Sequence, residues 1–249
     1  MNIAFYTGAS GLRAYQHNID IIANNVANIN TYGYKSDKSS FNSLIKSTMD
    51  INQNLTRNEG ERVLTGHGVK ISSQDLLYNQ GHLHNTGYAL DFAIAGDGLF
   101  AINRDGRIEY TRNGAFDISV EQDGNYLVSS DGGYVLDSNQ QRITVQYNTE
   151  TNEIDNAVIA DRLGVFTFDN PYGLQKINKT SFLPTDISGE PRLAPEADNK
   201  IYTTSLERSN TNIAEEMADL ILSQKAYQFS ARVVTTADEL EQIVNNLRG

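Results

Sequence analysis

The C-terminal segment, residues 210–249, has the apolar spacing of one long amphipathic helix. Steps of three and four residues, with one extra step of three after Val234, separate Ile213, Met217, Leu220, Gln224, Tyr227, Ala231, Val234, Ala237, Leu240, Val244 and Leu247. Such spacing is typical of coiled coils. A second apolar line follows Leu222, Ala226, Phe229 and Val233. A helix of roughly 35 residues is about 50 Å long, and no small domain buries two faces of it, so the segment is predicted to need partner helices.

The N-terminal segment, residues 1–35, shows the same spacing over a shorter length. Steps of three and four residues separate Leu12, Tyr15, Ile19, Ile22, Val26 and Ile29. Gly33 is a plausible stop, and Asn212 with Glu215 resembles a capping box that begins the C-terminal helix. The small residues at 8–11 predict either a close approach of two helices or a flexible tail. We expect the two terminal helices to pair with each other and with neighbouring copies.

Four asparagines interrupt the N-terminal helical pattern at Asn24, Asn25, Asn28 and Asn30. Asparagine is a poor helix former because its amide competes for backbone hydrogen bonds. One interpretation is that neutral amides bond across a helix interface and fix its register, as polar residues do in coiled-coil seams. The alternative is that these amides fray a helix end and face water.

The middle of the chain has a different pattern. Residues 36–75 are rich in Ser, Asn, Thr, Gly and Lys, which predicts an extended or mobile linker. Residues 76–208 read as short strands, two of them around Gly96, Asp97 and Gly98. Turn signals recur at Asp105-Gly106, Asn113-Gly114, Asp123-Gly124 and Asp131-Gly132. The predicted fold class is therefore α+β, with an antiparallel β domain over 76–208 inserted between helices at 1–35 and 209–249.

Composition excludes several classes of function. The net charge of −11 argues against a nucleic-acid binder, and the absence of cysteine excludes disulfides, thiolate nucleophiles and cysteine-ligated zinc. The sequence has no run of about 18 apolar residues, so we predict no membrane-spanning helix. The N-terminus lacks a basic region followed by an apolar stretch, so we expect either a cytoplasmic protein or export without a cleavable signal.

Few residues suggest chemistry. His82 and His84 form a His-x-His pair with no third ligand apparent, and the Asp-Gly pairs lack the spacing of a calcium loop. Gly96, Asp97 and Gly98 do not open a helix, so a phosphate site is not expected. We predict no catalytic, cofactor or metal site and no enzyme activity. A secreted hydrolase of cell-wall glycan stays open as the alternative from another class, although no carboxylate pair is selected by the sequence.

Three blocks of sequence, residues 10–35, 86–136 and 206–247, resemble the signatures of flagellar rod and hook proteins and occur in that family's order. Within the family the chain looks most like the rod proteins of the basal body. Its C-terminal block is more similar to the distal rod protein than to the proximal ones. A proximal rod or short hook-type protein is the alternative within the family.

The resemblance implies a structural subunit that assembles in many copies into a helical tube, with terminal helices around a central channel and β domains outside. It implies export through the flagellar type III apparatus, contact with other rod and hook proteins, and a place in the basal body outside the cytoplasmic membrane. We expect subunit contacts at Leu12, Ile19, Ile22, Asn24, Asn25, Val26, Asn28, Ile29, Ile213, Met217, Leu220, Tyr227, Ala231, Val234, Leu240, Val244 and Leu247.

Overall fold

The computed structural model describes residues 3–44, 46–48, 64–145, 155–195 and 199–248. Its α-helices are α1 (Ile3–Ala27), α2 (Asn156–Arg162) and α3 (Ile213–Arg248), and β-strands occupy the sequence between α1 and α3. The predicted α+β class is confirmed. The chain divides into two compact units. The helical unit comprises Met1–Val26, Asp37–Asp75 and Ile213–Gly249, and the β unit comprises Ala27–Ser36 and Leu76–Asn212.

Helices α1 and α3 run antiparallel within the helical unit. The Nδ2 of Asn25 donates to Oε1 of Glu216 at 2.9 Å, and the Nδ2 of Asn18 donates to Oγ of Ser223 at 2.7 Å. Nearer the start of α1, Gly11 lies against Ser230. Later residues of α3 thus meet earlier residues of α1. On this register, about ten residues at the end of α3 lie beyond the position opposite Ile3.

Four short strands also belong to the helical unit. Strand β1 (Asp37–Ser43) pairs with β4 (Val69–Leu76), and β2 (Lys46–Thr48) pairs antiparallel with β3 (Leu64–Gly66). Strand β1 packs on α1, since the rings of Tyr15 and Phe41 are 5.6 Å apart and Ser39 Oγ donates to Asn18 Oδ1.

The prediction of an extended or mobile linker over 36–75 did not specify these strands. Their sequence is polar and lacks the alternation that marks a half-buried strand. Backbone pairing and a few contacts with α1 hold these segments extended instead. The part of the expected linker between 49 and 63 lies outside the described residues.

The strands of the β unit are β5 (Leu83–Asn85), β6 (Phe92–Ala95), β7 (Leu99–Arg104), β8 (Arg107–Thr111), β9 (Phe116–Glu121), β10 (Gly124–Ser129), β11 (Tyr134–Val135), β12 (Val165–Thr167), β13 (Gln175–Lys176), β14 (Ser181–Leu183), β15 (Arg192–Leu193), β16 (Lys200–Thr203) and β17 (Ser205–Glu207). A 3₁₀ helix spans Pro171–Gly173. One nine-stranded sheet has the order β13-β14-β8-β7-β11-β10-β9, with β12 joining at β7 and β15 pairing with β12. Strand β6 pairs with β16, and β5 pairs with β17.

Two apolar clusters form the core of the β unit. The first includes Phe92, Phe100, Phe116, Leu127 and Ile143, and the second includes Leu99, Tyr110, Phe166 and Phe182. Alternate residues of β7 face different clusters, as the period of two in a strand requires. Strand β7 is therefore buried on both faces and lies at the centre of the sheet.

The Asp-Gly signals divide into hairpin turns and one other connection. Asp105 and Gly106 both have positive φ, and they join β7 to β8 with Arg104 opposite Arg107, as a two-residue hairpin requires. Turns at 122–123, just before Gly124, and at 130–132 likewise join paired strands. Asn113 and Gly114 do not, because β8 and β9 are not neighbours in the sheet.

The N-terminal helix ends earlier than the predicted boundary at 35. Helix α1 ends at Ala27, and residues 27–36 group with the β unit. Gly33 has a φ of +68°, and a Cβ there would meet the backbone of Asn113 at 2.4 Å. Gly33 therefore serves a close backbone approach inside the β unit rather than the helix stop itself.

Candidate functional site on the terminal helices

Helix α3 leaves most of its large apolar side chains exposed. Exposed fractions are 53% for Met217, 62% for Phe229, 56% for Leu240 and 83% for Leu247. Single exposed apolar residues are ordinary, but a contiguous apolar surface marks an interaction site. Exposed apolar residues recur along the 36 residues of this helix, from Ile213 to Leu247.

The seam between α1 and α3 is made of small and polar residues. Gly8 and Gly11 on α1 face Ser230, and a Cβ on Gly8 would come within 2.8 Å of Val234 Cγ2. The close approach predicted for residues 8–11 is thus present within one chain. These small side chains let the two helices come close where Val234 of α3 packs against Gly8. The second apolar line of α3, through Leu222, Phe229 and Val233, is largely left uncovered.

The predicted interface residues differ in burial. Ile22, Asn25 and Asn28 are buried; Leu12, Ile19, Val26, Ile29, Leu220, Tyr227, Ala231 and Val234 are half-buried; Asn24, Ile213, Met217, Leu240, Val244 and Leu247 are exposed. The structure places Val234 against Gly8 of α1 and leaves both ends of the α3 set exposed. Ile29 and Asn28 lie beyond α1, in the β unit.

The asparagines follow neither interpretation as a group. Asn25 is 1% exposed; its Nδ2 donates to the carbonyl of Asp37 at 2.8 Å and to Glu216, and its Oδ1 accepts from the N–H of Asp37 at 3.0 Å. Asn25 therefore ties α1 to both β1 and α3. Asn28 accepts from Thr31 Oγ1 in the turn after α1, and Asn24 is exposed. Burial raises the pKa of the Glu216 carboxyl, and the Asn25 hydrogen bond opposes that rise.

Several exposed residues of α3 were absent from the predicted interface set. Ile221, Leu222, Phe229, Val233 and Ile243 are all about half exposed or more. Leu222, Phe229 and Val233 belong to the second apolar line of the sequence, and that line indicates a second apolar face on the helix.

A buried ion cluster in the β unit had no sequence signal. Glu207 Oε1 accepts from Lys35 Nζ at 2.7 Å, and Glu207 Oε2 accepts from Arg112 Nε. The guanidinium of Arg112 also donates to the carbonyls of Gly98, Ile94 and Gly96. All three ionic side chains are about 1% exposed.

Hydrogen bonds beside the cluster join two segments of the β unit, residues 33–36 and residues 207–210. Gly33 N–H donates to the Glu207 carbonyl at 2.8 Å, and Ser36 N–H donates to Asn210 Oδ1 at 2.8 Å. Burial lowers the pKa of Lys35, although Glu207 opposes that shift, and burial raises the pKa of nearby Tyr78. These groups are held inside the fold by complementary charge and hydrogen bonds.

In the described ranges, no group of three or more His, Asp or Glu side chains is arranged to hold a metal ion. His82 and His84 are exposed on either side of Leu83. No described helix combines the length and apolar character that crossing a membrane requires.

Three family models match the chain, in the order of its elements. Residues 5–35 match the flagella basal body rod protein family, residues 93–157 match the flagellar hook protein FlgE/F/G D1 domain, and residues 203–247 match the flagellar basal body rod FlgEFG protein C-terminal family. The outer two matches fall largely on α1 and α3, and the middle match begins in β6. The paired terminal helices and the β unit are thus those of a flagellar axial protein.

Relatives of similar length agree with this class. The chain is 36% identical to the flagellar basal-body rod protein FlgG of Agrobacterium fabrum, over 97% of this chain and 98% of that protein. It is 33% identical to FlgG of Borreliella burgdorferi, over 98% of each. It is also 29% identical to the flagellar hook-basal body complex protein FlhP of Bacillus subtilis, over 97% of this chain and 98% of FlhP. The chain belongs to the flagellar basal-body rod protein family and is a structural subunit of the rod in the basal body.

Proposed function

We propose that this chain builds the distal segment of the flagellar rod, as many copies in a helical tube that transmits torque to the hook. The exposed apolar surface of α3 supports this most directly, because a surface that one chain leaves uncovered is available to neighbouring copies. Similarity to FlgG supports the distal position. The members of the predicted contact set that one chain leaves exposed, together with Leu222, Phe229 and Val233, are the proposed subunit interface.

Export unfolded through the flagellar type III apparatus is part of the same proposal. A chain with this much uncovered apolar helix would aggregate if it folded at high concentration before reaching its neighbours. Other rod and hook proteins are the partners at the two ends of the segment.

The test is immunogold electron microscopy of purified hook-basal bodies, with antibody against residues 90–205. We expect label along the shaft just below the hook. Label only at the cell-proximal end of the shaft would move the chain to the proximal rod. Absence of label from every axial part would contradict the structural function.

A cell-wall glycan hydrolase is the alternative from another class, and we propose that the chain has no such activity. The relatives are named for their place in the rod or the hook-basal body. Incubation of the purified chain with peptidoglycan should release no soluble sugar. Release that one carboxylate substitution abolishes would favour the hydrolase.

A further inference from the structure

A groove with a basic rim lies between α1 and β4 in the helical unit. Its volume is about 300 Å³, and its apolar lining comes from Ala14, Leu44, Val69 and Ile71. The remaining lining residues include Arg13, His17 and Lys70, and none of the described lining residues is acidic. In a chain of net charge −11, this groove is a local basic site.

The end of α3 has the complementary composition. Leu240, Ile243, Val244 and Leu247 lie on one face of the helix at the spacing of adjacent turns, and each is more than half exposed. Glu239 and Glu241 flank this apolar stripe on its two sides. An apolar stripe with acidic flanks fits an apolar groove with a basic rim, in the manner of a helix that lies in a groove.

We propose that the end of α3, residues 238–248, docks in the α1–β4 groove of a second copy of this chain. Leu240, Val244 and Leu247 enter the apolar lining, and the flanking glutamates face Arg13 and Lys70. This inference rests on the proposed self-assembly and names the two surfaces that meet in it.

The same chain cannot supply the docked helix. The α1 residues that line the groove lie between Ser10 and His17. Within one copy, the residue of α3 beside this part of α1 is Ser230, at Gly11, and not the end of the helix. Helix α3 continues without a break from Ile213 to Arg248, so its end does not turn back to the groove. The occupant is therefore another copy.

The geometry of such a contact suits a filament. The groove and the helix end are different surfaces, so each copy uses one surface to bind the copy on one side and the other to bind the next. Contacts between unlike surfaces do not close a dimer and generate rings or open helical arrays. Charge complementarity also overcomes the repulsion expected between acidic copies.

Disulfide trapping tests the contact without interference, because the chain has no cysteine of its own. The variant combines Val69→Cys with Leu247→Cys, and hook-basal bodies are purified from cells whose rod is built with it, then oxidised. We expect a ladder of linked copies on a non-reducing gel, which collapses on reduction. Val120→Cys with Leu247→Cys is the matched control, since Val120 is exposed in the β unit, and it should give no ladder.

A charge exchange gives an independent readout in the same preparation. Lys70→Glu should lower incorporation of the chain into basal bodies at least about tenfold, and adding Glu241→Lys should restore it. No ladder together with no rescue would overturn the proposed docking, and so would a ladder from Val69→Cys paired with Met217→Cys in place of Leu247→Cys. Basal bodies purified from cells that make the unmodified chain, and probed with antibody to 90–205, test the proposed function separately. Absence of the chain there would reject that function, and the docking with it.

Discussion

The helical unit and the β unit differ in how far they bury their apolar side chains. In the β unit, Phe92, Phe100 and Leu127 are completely buried within one chain. In the helical unit, the two helices meet through glycine, serine and asparagine, while Phe229 and Leu247 stay exposed. The β unit has the composition of a domain that folds alone. The helical unit leaves apolar surface uncovered, so we expect contact with neighbouring copies to stabilise it.

Removal of α3 should separate the two units most completely. Deletion of residues 213–247 removes the exposed apolar helix but none of the core clusters of the β unit. We expect a soluble fragment with a cooperative thermal transition by circular dichroism and no filaments by electron microscopy. Tubes formed by this fragment would show that the helices are not the basis of polymerisation.

The buried ion cluster should dominate the stability of the β unit. Arg112→Met leaves the Glu207 carboxylate without one partner and removes the donor from three backbone carbonyls. We expect a loss of about 3–5 kcal/mol in the free energy of unfolding, measured with urea.

The matched control for that variant is Arg192→Met. Arg192 pairs with Asp169 on the surface, where its side chain is 70% exposed. Its loss should cost about 1 kcal/mol or less. Equal effects of the two substitutions would mean that burial of the cluster does not matter.

Two leucine substitutions compare a buried side chain of the β unit with an exposed side chain of the helical unit. Leu127→Ala makes a cavity in the first core cluster and should cost about 2–5 kcal/mol in the β unit. Leu247→Ala should leave the unfolding of the isolated chain nearly unchanged but reduce assembly, measured by sedimentation. A large effect of Leu247→Ala on the isolated chain would show that α3 is already packed there.

Adjacent asparagines provide a smaller test in the helical unit. Asn25→Leu removes the partner of the buried Asp37 N–H and of Glu216, so we expect about 1–3 kcal/mol of destabilisation. Asn24→Leu changes an exposed residue and should cost less in the isolated chain. Hydrogen exchange of the Asp37 amide distinguishes the two, because only Asn25→Leu should increase its exchange.

Alkaline pH should act weakly and on the β unit. Burial, with a smaller effect of Glu190, raises the pKa of Tyr110 to about 12, and burial also raises the pKa of Tyr78. A raised pKa means that the folded chain keeps a proton that the unfolded chain loses. The stability contributed is complete below the ordinary tyrosine pKa of about 10 and is lost as the pH rises towards 12.

The variant that tests this pH dependence is Tyr110→Phe. It should unfold at a higher pH than the unmodified chain in an alkaline titration followed by circular dichroism. Tyr88→Phe, at a site 73% exposed, is the control and should not move the transition. A shift towards lower pH for Tyr110→Phe would contradict the assignment.

Periodic features of the fold could be predicted from the sequence, and contacts between distant segments could not. The spacing from Ile213 to Leu247 predicted α3, and Asp105 with Gly106 predicted a hairpin, because both signals are local. The strand Asp37–Ser43 was missed because its neighbours on α1 and β4 hold a polar sequence extended. The cluster of Lys35, Arg112 and Glu207 was missed because it joins three separated positions. For the predicted interface, heptad spacing selects α1 and α3 but does not show which of their faces the chain itself covers.

The meeting of Ser36 with Leu77 affects how this subunit can vary in length. The N–H of Leu77 donates to the carbonyl of Ser36 at 2.8 Å, so the excursion through residues 37–75 leaves the β unit and returns to it at one point. A segment anchored in this way can gain or lose residues without moving the domain behind it, and each doubling of loop length costs only about 0.6 kcal/mol in closure entropy. Insertions into this excursion would therefore lengthen the helical unit and leave the junction of Ser36 with Leu77 unchanged.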